Sequence, residues 1–456
     1  MLFLLLACLV NCKDDEQEMP EQYDPSKPVE VLDFIPKEGG IGQRIVIYGN
    51  NFGNDTSMVR VFIGGNEAKV IGLNNTGLYC LVPGKSYDGD IEVRIGKGDT
   101  PVVAKAAEIF LYERKMVVST LAGYRDERGE YETKDGPFWD CGGFSNPSWF
   151  TFDPKDPKML YMGQDGGDVR LLNFRDSMVT TPITRGMGNW SRIRTIDWTL
   201  DGDHMLIAND FNGNGINSLS VSILSRQGNF SDPQELALFK ECNGATTHPI
   251  NGEMYFNSYE KGQFFRFDME KYFSEGLGLK DYEELFKIQD NGWEFNIVPH
   301  PSGNYAYIVV INQHYILRTD YNWTKKEFTQ PYVVCGESRS EGYLDGVGTK
   351  ARLRNPYQGV FVKNPEYEGE NDEYDFYFTE QHNHDIRILT PAGKVTTFAG
   401  RGSSSVNPDP WGYINGDLRQ EARFDQPKAL AYDEENKTFY VGDSSNRRIR
   451  KISLEE

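Results

Sequence analysis

The sequence predicts an all-β protein in two parts: a small β-sandwich, then a closed ring of six repeated four-stranded units. Three observations support this. The 456-residue chain carries 25 Tyr, 27 Phe and 46 Gly, and aromatic runs punctuated by glycine turns are the composition of sheet proteins. From Val29, short β-rich runs (VEVLDFIP, QRIVIYGNNFG, VRVFIGG) follow one another between Gly, Asn, Asp and Pro turns. Beyond residue 112 a strand–loop–strand pattern recurs to the end of the chain.

The formal charge of −20 argues against nucleic acid as a partner, because phosphates would be repelled rather than neutralised. At the start, Leu2 to Val10 form an apolar run well short of the ~20 residues that span a bilayer. The run ends at Cys12, followed by Lys13, Asp14, Asp15 and Glu16. An apolar stretch ending at a cysteine resembles a lipoprotein signal. The acidic run after it resembles the surface-export signal of glycan-foraging Gram-negative bacteria. Residues 1–12 are therefore expected to be a signal that lipidates Cys12 and anchors the chain at the outer-membrane surface. Cys8, after Leu5-Leu6-Ala7, is the alternative. Residues 13–28 are charged, contain proline and lack periodicity, and so read as a flexible tether.

Residues 29–112 hold about seven strand-like runs, the count of a small sandwich. Four motifs stand out: P-x-x-G-G-x-G (Pro36 to Gly42), I-x-G-N-N-F-G (Ile47 to Gly53), F-I-G-G-N-E-A (Phe62 to Ala68) and L-V-P-G (Leu81 to Gly84). They resemble the immunoglobulin-like IPT/TIG domain. The resemblance implies a spacer or binding module, without chemistry.

In residues 113–456, VVSTLAG, PYVVCG and VTTFAG are related runs that end in a small residue and Gly. Glycine-rich loops follow, with A-R-(L/F)-x-x-P leading into the next strand after the last two. YDFYFTEQHNHDIRILTPAG and KTFYVGDSSNRRIRKIS share an aromatic strand, a polar loop and an I-R-(I/K) strand. These residues resemble the NHL repeat. Weaker copies (MLYMGQDGGDVRLLN, HMLIANDFNGNGINSLSVSIL, EMYFNSYEKGQFFRFD, YAYIVVINQHYILRTD) bring the count to six, the number expected of a six-bladed NHL-type β-propeller. The first VTTFAG-type strand, Val117 to Ala122, has no blade ahead of it, and the last unit lacks one. The early strand should pair beside Arg448–Ile452, complete blade six and remove an open edge.

The longest connections, 123–144, 336–352 and 400–422, leave blades six, four and five. They should open on one face, with the intra-blade loops that carry Asp165, Asp210, Glu260, His314, His382 and Asp443. They hold Tyr124, Tyr131, Phe138, Trp139, Tyr343, Trp411 and Tyr413. Exposed aromatics stack on sugar rings while carboxylates and amides satisfy hydroxyls. The ligand candidates are Trp139, Trp411, Tyr343, Tyr413, Tyr131, Asp165, Asp210 and His382. Tyr343 and Tyr413, both in G-Y-x-(D/N)-G, have an equally plain reading as repeat tyrosines packed under their loops. Trp139 and Trp411 have no counterpart in the repeat. His248 and His300 share a slot with Asp153, Asp201 and Asp433 on the opposite face, and read as turn residues. His382 and His384 form the H-x-H of the chain, a spacing that on a strand aims both rings to one side, with Glu380 and Asp385 near. No third ligand is dictated, so neither a metal nor a cofactor is expected. The scattered Cys80, Cys141, Cys242 and Cys335 suggest no zinc site, and Cys335 reads as a small buried thiol.

Nucleophile elbow, P-loop, zincin and dinucleotide motifs are missing from the sequence. The favoured reading is a non-catalytic glycan-binding surface lipoprotein beside an outer-membrane polysaccharide transporter, which the resemblance implies. The rivals are a hydrolase or lyase acting at the central funnel, whose carboxylates would come from separate blades, and a protein-interaction module.

Overall fold

The computed structural model describes residues 21–97, 100–290 and 292–455. Cys12 and Cys8 lie outside them. No helix among the described residues is long and apolar enough to cross a membrane. The chain divides into two compact units, one running to Lys115 and including Glu455, the other Met116–Leu454.

The first unit is a seven-stranded antiparallel arrangement in the order Glu30–Ile35, Arg44–Asn50, Gly77–Leu81, Asn66–Asn74, Val59–Ile63, Ile91–Ile95, Val102–Lys105. A bulge between Val70 and Gly72 bends the long strand Asn66–Asn74, which pairs with both layers. Alternation does the rest: in Arg44–Asn50, Ile45, Ile47 and Gly49 turn inward while Arg44, Tyr48 and Asn50 face water. Phe34, Ile47, Phe52, Leu78, Val93 and Phe110 fill the core. Of the segment read as a tether, Tyr23, Asp24 and Lys27 are held to the first unit. The Asn51 side chain accepts from the Asp24 amide (2.8 Å) and donates to the carbonyls of Asp24 (2.8 Å) and Lys27 (2.9 Å), and Tyr23 packs on the core. A side chain that replaces water for three backbone groups holds such a segment down.

The second unit is a ring of six antiparallel blades. Their innermost strands are Pro147–Asp153, Ile193–Trp198, Ala245–Thr247, Phe295–Pro299, Pro356–Lys363 and Pro427–Asp433, for blades one to six. Blade six is closed from the front of the unit: Met116–Ala122 pairs antiparallel with Arg448–Leu454, Val118 opposite Ile452. The only α-helix among the described residues, Met269–Ser274, follows the third strand of blade three and is capped by Asp268, which accepts from the Lys271 amide.

The glycines after the small residue of each VTTFAG-type strand have one physical reason. Gly123, Gly336 and Gly400 adopt φ of 89°, 78° and 95°. A Cβ there would lie 2.5, 2.4 and 2.7 Å from the carbonyl oxygens of Arg447, His314 and His384, each in the adjacent intra-blade loop. The four cysteines are buried free thiols, and burial pushes the Cys335 thiol far up. His248 and His300 are turn residues: His248 Nδ1 accepts from the amides of Ile250 and Asn251, and His300 Nδ1 meets Ser302.

Candidate functional site: the mouth of the propeller

Strand direction sets the geometry. Each innermost strand starts on the long-loop face, and the loop between strands two and three of each blade returns there, so side chains at those places converge on the axis. Arg192 and Arg194 flank the start of the innermost strand of blade two, and Glu294 precedes that of blade four. Tyr357 and Lys428 each follow the proline that opens the innermost strand of blades five and six. Asp165, Asp210 and Tyr259 come from the loops of blades one, two and three.

These groups form one ionic network. The Arg192 guanidinium donates to both Asp165 oxygens (2.8 Å each) and to Asp210 (3.0 Å). Arg194, 2% exposed, reaches across the ring to Glu294 (2.8 and 2.9 Å) and to the Tyr357 hydroxyl (3.3 Å). The Tyr259 hydroxyl donates to Asp210 at 3.1 Å. Burial works against charge on Asp165 and Glu294, but the two guanidiniums outweigh it and hold both carboxyls below their usual range. At Asp210 burial wins and the carboxyl is raised. Burial also lowers the Lys428 ammonium, which donates to Asn146 Oδ1 at 3.2 Å and lies 5.5 Å from the Tyr357 ring.

Beneath this layer Gln358 ties three blades together. Its Oε1 accepts from the amides of Phe150 (2.8 Å) and Leu430 (3.0 Å), and its Nε2 donates to the Phe150 carbonyl (2.7 Å). The mouth is thus a ring of fixed donors and acceptors, with an amide held at both ends beneath it.

Asp165 and Asp210 belong to this network and are held by Arg192. His382 borders it: its Nδ1 meets Asn355 Oδ1 at 2.8 Å, and burial, then Arg354, lowers its pKa. The H-x-H pair lies in the loop before the strand Asp385–Leu389, not on a strand. His384 sits at φ 56° and accepts from the Gln426 amide at 3.2 Å, so the two rings serve separate turns. Among the described residues no group of three His, Cys, Asp or Glu side chains is placed to hold a metal ion.

Trp411 is 53% exposed and rests on His384, ring centroids 5.5 Å apart. It lies on the long-loop face between blades five and six. Trp139 does not share that face, which corrects the expectation from the sequence. Gly136–Pro137 pairs with Val179 and Met178 on the outer strand of blade one, and the Phe138 amide donates to Ser177. This edge strand runs down the outside of the blade, with Phe138 buried against Phe174. Trp139, 80% exposed, is therefore at the tip of a hairpin near the opposite rim.

Tyr343 packs under its loop, its hydroxyl 2.8 Å from Thr397 and the Arg387 guanidinium 5.0 Å from its ring. Tyr413 stays 56% exposed over Arg448 (4.2 Å), and Tyr131 lies over Arg447 (4.6 Å). Sequence reasoning missed Arg192, Arg194, Glu294, Tyr357 and Lys428. A signal existed for two of them: aligning N-P-Y-Q, Q-P-K-A and N-P-S-W puts Tyr357 and Lys428 in one repeat slot.

An immunoglobulin-like sandwich followed by a six-bladed propeller with a polar mouth defines the class of the protein. The IPT/TIG domain family matches residues 29–107. A solved structure of an auxiliary nutrient binding protein from Bacteroides thetaiotaomicron is 50% identical, with a TM-score of 0.84, covering 95% of this chain and all of that one. A second, from Bacteroides ovatus, is 37% identical with a TM-score of 0.71 over the same shares. A third, from B. thetaiotaomicron, whose given name proposes a phosphatase, is 44% identical with a TM-score of 0.85, covering 96% and 99%. The chain belongs to the family of these two-part Bacteroides proteins. NHL repeat-containing protein 2 of Bos taurus is 29% identical over 115 residues, a quarter of this chain and 14% of that relative's length.

Proposed function

We propose that the chain is a non-catalytic accessory protein that holds a glycan at the mouth of its propeller. In this reading a lipid on Cys12 anchors it at the outer membrane, beside a transporter that imports the polysaccharide. The observation that carries the proposal is the polar network at the mouth, where carboxylates, guanidiniums, an ammonium, two phenols and an amide from six blades are pre-set around the axis. Such convergent, pre-paired groups exchange hydrogen bonds with sugar hydroxyls at little cost in ordering. Trp411 stands at the rim as a stacking surface. The two relatives named auxiliary nutrient binding proteins support an accessory binding role.

Calorimetric titration with polysaccharides, run beside product analysis, tests this. The expected result is saturable binding with intact glycan recovered, weakened on the order of tenfold or more by Lys428→Ala with Trp411→Ala, since 1.4 kcal/mol is tenfold. Turnover of the glycan, or of p-nitrophenyl phosphate, lost in Lys428→Ala would replace this reading with an enzymatic one.

A further inference from the structure

On the face opposite the long loops, two cavities of about 420 and 360 Å³ meet at one side chain, Phe273. Strand direction places them there: one is built from the turn after the third strand of blade two, and both use the helix after the third strand of blade three. Phe273 is 51% exposed. Its ring is held from behind by His204 (centroids 5.0 Å apart) and Tyr272 (5.2 Å), so an aromatic face is fixed at the junction.

The larger cavity brings Ser225, Gln227, Asp232 and Gln234 of blade two beside that ring. Among the described residues, the Ser225 hydroxyl, the Gln227 amide and the Asp232 carboxylate make no side-chain hydrogen bond. His204 Nδ1, in the same wall, is buried without a partner. On the far side of Phe273 the smaller cavity adds the carboxylates of Asp201 and Glu270. Asp201 already accepts from the Thr199 hydroxyl (2.6 Å) and the Asp203 amide (2.9 Å). But a fixed aromatic flanked on one side by the unspent Ser225, Gln227 and Asp232 groups and on the other by Glu270 has the chemistry of a site for a polyhydroxylated ring. The three carboxylates, in a chain of net charge −20, repel sulfated and uronic polymers.

We infer that this groove is a second carbohydrate site, taking a neutral oligosaccharide that lies across Phe273. The inference rests on the reading of the chain as a glycan binder and adds a site on the other face. Such a pair of sites gives the chain two grips on one polymer, which raises its hold without new contacts at either.

The test is calorimetric titration of the full chain with neutral gluco-, xylo-, manno- and galacto-hexasaccharides. For one of these classes the wild type should bind two per chain. Phe273→Ala, and separately Gln227→Ala with Asp232→Ala, should remove one of the two sites or weaken it about tenfold, with melting midpoints unchanged because these side chains are exposed or unpaired. A single site lost in Phe273→Ala supports the groove and removes the mouth. A single site, or two, untouched by both variants overturns the groove and leaves the mouth standing. If no hexasaccharide binds the wild type, the glycan reading fails, and the groove with it.

Discussion

Arg194 shows how much one side chain carries at the mouth. It is 2% exposed and bonded to Glu294 and Asp210, from different blades. Removing one partner of such a buried pair strands the others, at roughly 3–5 kcal/mol. Arg194→Ala should lower the free energy of unfolding measured in urea by that order, whereas Lys428→Ala, with one hydrogen bond, should cost far less. Asp385 offers a pH test. It is fully buried opposite Glu380, and burial, then the Glu380 charge, drives its carboxyl well above the usual range. The folded chain therefore keeps a proton that the unfolded chain releases near pH 4. The stability Asp385 contributes is complete below that pH and declines as pH rises toward the raised value. Asp385→Asn keeps the shape and removes the titration, so its advantage over wild type in urea should be small at pH 4 and grow by pH 7. An advantage that does not change with pH contradicts this account of Asp385.

The long loops are latches before they are surfaces. Each lays a short edge strand on the next blade: Gly136–Pro137 on blade one, Gly346–Val347 on blade five, Gly416–Asp417 on blade six. A fully buried arginine of that blade grips the turn. Arg170 reaches the Lys134 carbonyl and Asp135, Arg387 reaches the Leu344 carbonyl and Asp345, and Arg450 reaches the Ile414 carbonyl and Asn415. Blades five and six add a buried carboxylate, Glu380 or Asp443, to the same guanidinium. Asn415→Ala removes one of these bonds, worth about 1.5–3 kcal/mol to a charged partner. Limited proteolysis should then cut within 400–422 faster, with little change in global melting. These latches explain what was legible. The (D/N)-G turns and the I-R-(I/K) strands repeat in the sequence because a buried Arg demands its partners, so the blades and the closing strand could be read. The mouth could not, because Arg194, Glu294 and Tyr357 lie 163 residues apart at the extremes and meet only through ring closure. Trp139 was misplaced for a related reason: an edge strand carries its loop down the blade, and no local spacing records that direction.

For the whole molecule, ring closure couples the two ends of the second unit. Met116–Ala122 supplies blade six with the strand that covers Arg448–Leu454 and, through Val117 and Val118, receives the latch at Gly416–Asp417. Deleting Met116–Ala122 should bare an edge, lower the melting midpoint by about 5 °C or more, as a loss of several kcal/mol does in a unit this size, and promote association. An unchanged midpoint and a monomeric product would contradict the closure. The central claim is binding without turnover at the mouth. The direct measurement is titration of one glycan into wild type and into Lys428→Ala with Trp411→Ala, with the glycan recovered and sized afterwards. The account predicts saturable binding, uncut glycan, and about tenfold or greater loss at the mouth in the double variant, with its melting midpoint retained. Shortened glycan, or full affinity in the double variant, would contradict it.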